Sequence, residues 1–316
     1  MASGHVEADL NTAFITHNDC QLHNMGAMHP ECPQRLPAVQ DQLIASGISD
    51  HLEHIEAPLA TRDQLEQVHA AHYIDSVEEQ SPQRGIVHLD PDTAMCPATL
   101  NAALRAAGAG VLATDLVVSG KVHNAFCNVR PPGHHAERDR AMGFCIFNSV
   151  AVAAARALEH HGLKRVAIVD FDVHHGNGTE EIFQNDERVM MVSTFQHPFY
   201  PYSGTEGRSE RMVNIPLAAY SGGAEFRAAV ENHWLPALER FKPEMLFISA
   251  GFDAHRDDDL AMMKLVEADY TWVTQQLRAV ADRHCAGRIV SMLEGGYNLH
   301  ALGRSATAHL KVLAGL

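Results

Sequence analysis

Two acids and two histidines fall within six residues in Asp170-Phe-Asp172-Val-His174-His175-Gly176-Asn177, directly after the apolar run RVAIV. A carboxylate buried at the end of such a run must meet a cation or a set of donors. Three more segments carry the same kind of residue: RPPGHHAERDRAMGF with His134 and His135, FDAHRDDD with Asp253 and His255, and EGGYN with Glu294 and Tyr297. Carboxylate and imidazole ligands without thiolate suit Zn²⁺ or another first-row divalent ion. In an extended chain Asp172 and His174 share one side, with Asp170 behind them. Asp253, from a separate segment, completes three protein ligands, which leaves positions open for water and a substrate carbonyl. His134 and His135 follow a Pro-Pro-Gly turn and can take a proton from water. The two glycines before Tyr297 allow a sharp turn that delivers a phenol to an oxyanion. Together these groups specify metal-assisted attack of water on an acyl carbon. His175 has the opposite parity and is expected to pack or support, while His255 and Glu294 are expected to be structural.

These segments must be held at one place, and the pattern around them supplies a scaffold. Residues 12–17, 122–129, 165–171, 188–195, 211–217, 244–251 and 288–295 read as strands, several of them almost continuously apolar. Such runs belong to a parallel sheet covered on both faces. Helical patterns fill 97–119, 149–161, 224–241, 267–285 and 301–314, and the N-terminal third (29–81) reads as mostly helical, broken by prolines. The expectation is an α/β protein with a single domain over 1–316, ordered from about 12 to 314. Its mostly parallel central sheet is flanked by helices. Ligands of such sheets bind beyond the carboxyl ends of the strands. All four loaded segments follow a strand.

Composition narrows the class. The net charge of −15 argues against a general grip on nucleic-acid backbone. No linker, repeat or low-complexity stretch divides the chain. The segment SVAVAAARAL contains an arginine and is too short to span a bilayer. Six cysteines without a CxxC pair, behind a polar N-terminus, are expected to be reduced thiols in a cytoplasmic protein. No motif specifies an oligomeric state.

The set HPECPQRL, RPPGHHAE, GFCIFN, DFDVHHGNGTEEIF, GFDAHR and LEGGYN resembles the histone deacetylase family, and within it the class II branch and its bacterial amidohydrolases. The resemblance runs from His29 to beyond Tyr297 and implies an arginase/deacetylase fold. It also implies a Zn²⁺ hydrolase, one ion per chain, that removes acetyl groups from amines such as acetyl-lysine or acetylpolyamines. By motif position it makes Asp172, His174 and Asp253 the metal ligands, His135 the general base and then acid, and His134 its electrostatic partner. Tyr297 would polarise the acetyl carbonyl. Asp170 and Asn177 would orient the two histidines, and a neutral Asn177 should leave His135 less basic than an aspartate would. Gly143 and Phe144 match one wall of the substrate tunnel and Tyr200 the facing aromatic, where Phe is commoner. Arg35 matches an arginine on the acetate exit path. Asp170, Asp172, His174, Ser193 and Thr194 match a site for a monovalent cation, usually K⁺.

A binuclear Mn²⁺ ureohydrolase is the nearest rival within this fold. It needs carboxylates where this chain has Gly176 and His255, which argues for one metal ion. A catalytically silent sensor of acetylated amines or polyamines is the rival of another class. Such a sensor has no use for His134, His135 and Tyr297 together.

Overall fold

The computed structural model describes residues 11–206 and 209–316, so the first ten residues of the expected domain lie outside it. The strands are β1 (Thr12–Thr16), β2 (Leu52–Glu56), β3 (Val87–His88), β4 (Ala94–Met95), β5 (Asn124–Cys127), β6 (Val166–Asp170), β7 (Val189–Gln196), β8 (Met212–Leu217), β9 (Met245–Ala250) and β10 (Ile289–Leu293). Eight form one sheet in the order β2-β1-β5-β10-β9-β6-β7-β8, and every pairing in it is parallel. β3 and β4 form a small antiparallel ribbon. Strands β6, β7, β9 and β10 are buried along their whole length, which is why they read as apolar runs rather than alternating ones.

Helices cover the sheet, and two that flank the site segments are started by asparagine caps. Asn148 accepts from the Ala151 amide at 3.0 Å to begin Ser149–Glu159, and Asn298 does the same for Ala301 at 3.0 Å to begin Leu299–Leu313. Helix Thr99–Val118 packs on Ser149–Glu159 closely enough that a Cβ on Gly110 would stand 3.0 Å from the Ala153 methyl. Among the described residues this 20-residue helix, rather than SVAVAAARAL, is long and apolar enough to cross a membrane, yet 61% of its most apolar 18-residue window is buried inside the protein. It is a core helix of the fold.

The structure adds to the expected elements at two places and corrects them at a third. The N-terminal third contains an edge strand, β2, whose sequence LEHIE turns most of its polar side chains to solvent and so lacks an apolar run. The segment 85–96, which falls between the expected elements, carries the β3–β4 ribbon. The single helix expected over 224–241 is instead Gly223–Ala229 and Leu235–Phe241 joined by a π-turn at Val230–Trp234. Pro236 has no N–H to donate one turn back, and widening the preceding turn accommodates that loss. The turn also buries Trp234, whose indole donates to the Ser193 carbonyl at 3.2 Å.

Candidate active site

Four neighbouring central strands, β5, β10, β9 and β6, release the four loaded loops at their carboxyl ends. The ligand atoms of Asp172, His174 and Asp253 lie within 4.8 Å of one another. His174 Nδ1 stands 3.0 Å from Asp172 Oδ1 and 3.2 Å from Asp253 Oδ2. Strand parity is not what gathers them, because β6 ends at Asp170. Instead the Asp172 amide donates to Asp170 Oδ1 at 3.0 Å and the His174 amide to Asp172 Oδ1 at 2.9 Å, so successive side-chain-capped bends turn both residues to one side.

Neighbouring loops hold this cluster through backbone amides. Asp172 Oδ2 accepts from the Gly295 amide at 2.8 Å, and Asp253 Oδ1 from the Val173 amide at 2.9 Å. The approach is possible only without side chains: a Cβ on Gly251 would lie 2.1 Å from Asp172 Oδ2, and one on Gly295 2.1 Å from Asp253 Oδ2. Asp253 Oδ2 is buried and receives no well-formed hydrogen bond. A carboxylate oxygen so placed is costly unless a cation meets it. Burial and the charge of Asp172 push Asp253 up to about 6, while Asp172 and Asp253 overcome burial to push His174 up to about 10. Two carboxylates and one imidazole around an unsatisfied oxygen fit a divalent metal.

The two imidazoles of the Pro-Pro-Gly turn face this cluster with different partners. His134 Nδ1 lies 2.8 Å from Asp170 Oδ2. Burial opposes its charge, but Asp170, Asp172 and Glu294 outweigh burial and raise it well above the ordinary histidine value. His135 Nδ1 lies 2.8 Å from Asn177 Oδ1. Burial, followed by the charges of His134 and His174, holds His135 well below its ordinary value. Asn177 is itself oriented: its amide nitrogen donates to Glu137 Oε1 at 2.8 Å, and Arg140 holds that carboxylate at 2.9 Å. Gly176 lies against the first pair, where a Cβ would meet Asp170 Oδ2 at 2.4 Å. Any side chain there would have to push the Asp170 carboxylate from its place against His134.

Glu294 does more than fill the core. Its carboxylate accepts from the Gly133 and His134 amides at 2.7 and 3.1 Å and from the Ser249 hydroxyl at 3.0 Å. Burial, resisted by His134 and these amides, pushes it up to about 7. The Tyr297 and Phe144 rings are perpendicular with centroids 5.8 Å apart, and the Arg35 guanidinium lies 5.0 Å from the centre of the Tyr297 ring. Burial raises its phenol well above the ordinary value, against the pull of Arg35 and with the help of Asp253 and Asp172. Arg35 is buried and donates to the carbonyls of Gly296 and Glu294 and to Glu31, which is also gripped by Arg130.

The walls are shaped by unusual backbone. Gly143 (φ +58°) and Phe144 (φ +69°) both occupy the left-handed region, and a Cβ on Gly143 would stand 2.4 Å from His135 Cδ2. The β3–β4 ribbon holds this turn: Asp92 Oδ1 accepts from the Gly143 amide at 3.1 Å and Thr93 Oγ1 from the Phe144 amide at 3.0 Å. Tyr200 stands nearly perpendicular to His135 and His174, with 5.3 and 6.1 Å between ring centroids. Ser193 lies beside Asp170 in the β6–β7 register and is followed by Thr194. His175 points away from the cluster to Glu180 at 2.6 Å, and His255 is buried with Nδ1 accepting from the Asp257 amide at 3.1 Å.

Five further residues shape the site with no signal of that role in the local sequence. Glu137 lies inside the RPPGHHAE segment, Glu31 inside HPECPQRL and Asp258 inside the DDD run, so the motifs contained them without showing their direction. Asp92 acts across the fold from a rim loop. Phe199 stacks on His174 with centroids 5.5 Å apart, one residue before the aromatic that was expected there.

The sequence matches the histone deacetylase domain family over residues 29–313. It is 38% identical to the histone deacetylase-like amidohydrolase of Pseudomonas aeruginosa, over 86% of this chain and 73% of that one. It is 36% identical to a probable deacetylase of Archaeoglobus fulgidus, over 91% and 82%. It is also 35% identical to the polyamine deacetylase HDAC10 of Mus musculus, over 97% of this chain and 48% of that one. Among solved structures, the HD domain of HDA15 superposes with a TM-score of 0.91 at 36% identity, covering 98% of this chain and 89% of that one. The chain belongs to the histone deacetylase family.

Proposed function

We propose that this protein is a Zn²⁺-dependent amidohydrolase, one ion per chain, that releases acetyl groups from amines of the acetyl-lysine or acetylpolyamine type. The observation that carries this reading is the unsatisfied, buried Asp253 Oδ2 at the meeting point of Asp172, His174 and Asp253, within reach of two imidazoles with opposed protonation tendencies. Asp172, His174 and Asp253 would hold the metal, which when bound supplies a Lewis acid for the acyl carbonyl and lowers the pKa of water.

The protein's own groups supply the rest. With Nδ1–H donated to Asn177, His135 keeps Nε2 free and is neutral near pH 7, as a general base must be. After taking the proton it can return it to the departing amine. His134, kept cationic by Asp170, adds positive charge and holds its neighbour's basicity down. Tyr297, protonated at all working pH values, donates a hydrogen bond to the oxygen that gains charge. Phe144 and Tyr200, with Gly143, would border an alkyl chain. Arg35 lies beneath Tyr297, in position to meet released acetate. Asp170, Asp172, His174, Ser193 and Thr194 would hold K⁺ behind the site. The whole described chain acts as one catalytic domain in this reading, and a cytoplasmic location follows from the thiol pattern.

The polyamine deacetylase among the relatives keeps acetylated polyamines beside acetyl-lysine as substrates. A hydroxamate should inhibit, and Tyr297→Phe should lower kcat about 10²- to 10³-fold while bound Zn²⁺ is unchanged. An unaffected rate in that variant removes the phenol from the mechanism.

A further inference from the structure

Tyr297 sits at a weak point of the backbone. Two glycines precede it, Gly295 and Gly296, the latter with φ +122°, and the helix Leu299–Leu313 begins just after it. Glycines leave the chain free to swing, so something else must fix the phenol. No hydrogen bond to its oxygen is formed among the described residues. Phe144 and Arg35 touch only the ring.

The restraint comes from the next loop. Asp258 is 4% exposed, and one carboxylate oxygen, Oδ2, accepts from both the Tyr297 amide at 2.6 Å and the Asn298 amide at 3.0 Å. Its other oxygen closes its own turn by accepting from the Leu260 amide at 3.1 Å. No lysine, arginine or histidine pairs with it among the described residues, although Asp257 beside it meets Arg304 at 3.3 Å. Its charge is therefore met by amides at the positive end of a 15-residue helix. A buried carboxylate satisfied in this way is a fixed anchor. Both contacts from Oδ2 are to main-chain amides, so the anchor acts on Tyr297 through its backbone.

We propose that Asp258 is the positioning residue of Tyr297: its carboxylate pins the Tyr297 and Asn298 amides between the glycine hinge and the helix, and so fixes where the phenol stands. This rests on the reading that Tyr297 acts in turnover. Asp258→Asn keeps an acceptor for both amides, whereas Asp258→Ala removes it, and Asp258→Ser serves if the alanine variant does not fold.

The test is a mutant cycle on the Zn²⁺-loaded protein with an acetyl-lysine peptide, acetylputrescine and acetylspermidine, together with amide hydrogen exchange at Tyr297 and Asn298. Asp258→Ala should lower kcat about 10- to 100-fold with KM and bound Zn²⁺ little changed. Asp258→Asn should recover most of the loss. In the Tyr297→Phe background Asp258→Ala should cost nothing further, because both changes remove one contribution. Exchange of the two amides should speed up in the alanine variant and stay slow in the asparagine one. Additive losses, or equal exchange in wild type and Asp258→Ala, overturn the proposal. If Tyr297→Phe turns over as fast as wild type, the functional reading fails instead, and the exchange data still decide the anchor.

Discussion

The carboxamide oxygen of Asn177 lies 2.8 Å from Nδ1 of His135, and the adjacent His134 places its Nδ1 2.8 Å from a carboxylate, Asp170. Two neighbouring imidazoles thus receive one neutral and one anionic acceptor. Burial and the neighbouring charges then drive them apart, His134 upward and His135 downward. Groups whose environments separate their protonation in this way divide acid and base work between them.

Asn177→Asp tests that division. An anionic acceptor favours the imidazolium form of His135 and raises its pKa. The acid limb of kcat/KM, which reports the base in the free enzyme, should move to higher pH by about one unit. A pH profile that is unmoved, or moved to lower pH, contradicts the role given to Asn177.

Gly251→Ala tests the crowding around the metal cluster. The added Cβ would stand 2.1 Å from Asp172 Oδ2, so the carboxylate must move. Metal affinity should fall roughly 10- to 100-fold, as for other disturbed supports of ligands. Zinc titration of the folded variant reads this directly, and wild-type affinity would show that Asp172 does not hold the ion.

Glu31→Ala tests the ionic base beneath the site. Glu31 is fully buried, and although burial disfavours its charge, Arg130, His23 and Arg35 hold it ionised well below the usual carboxylate range. Removing it leaves two buried guanidinium groups short of a partner, at a cost of about 3–5 kcal/mol in urea unfolding at pH 7. Because the folded-state pKa is depressed, the stabilisation is present above the unfolded value near 4.5 and is lost as pH falls toward the folded one. The gap between wild type and variant should therefore narrow on acidification below that value. A constant gap contradicts the charged assignment.

The central strands and their four loaded loops were legible because fully buried parallel strands leave apolar runs and because the loop residues are chemically conspicuous. Edge strand β2 was not legible, since LEHIE pairs on one side only and turns polar groups outward. The meeting of Asp172 and His174 was anticipated on strand parity, but bends capped by Asp170 and Asp172 achieve it. Gly176 was informative in sequence as a missing carboxylate, and the fold adds that a Cβ there would strike Asp170. Glu137, Asp92 and Asp258 act through single hydrogen-bonding atoms on residues from 39 to 51 positions away. Nothing in local spacing marks such long-range anchors.

The central claim is amide hydrolysis at the Asp172–His174–Asp253 cluster, and acetate release measures it most directly. The protein loaded with Zn²⁺ at one ion per chain is assayed in parallel on an acetyl-lysine peptide, acetylputrescine and acetylspermidine, before and after chelation. The expected result is acetate from at least one of them, abolished by the chelator, restored by Zn²⁺ and absent in Asp253→Ala. Folded protein carrying one Zn²⁺ that releases no acetate from any of the three, or activity that needs two Mn²⁺ and liberates urea from a guanidine substrate, contradicts it.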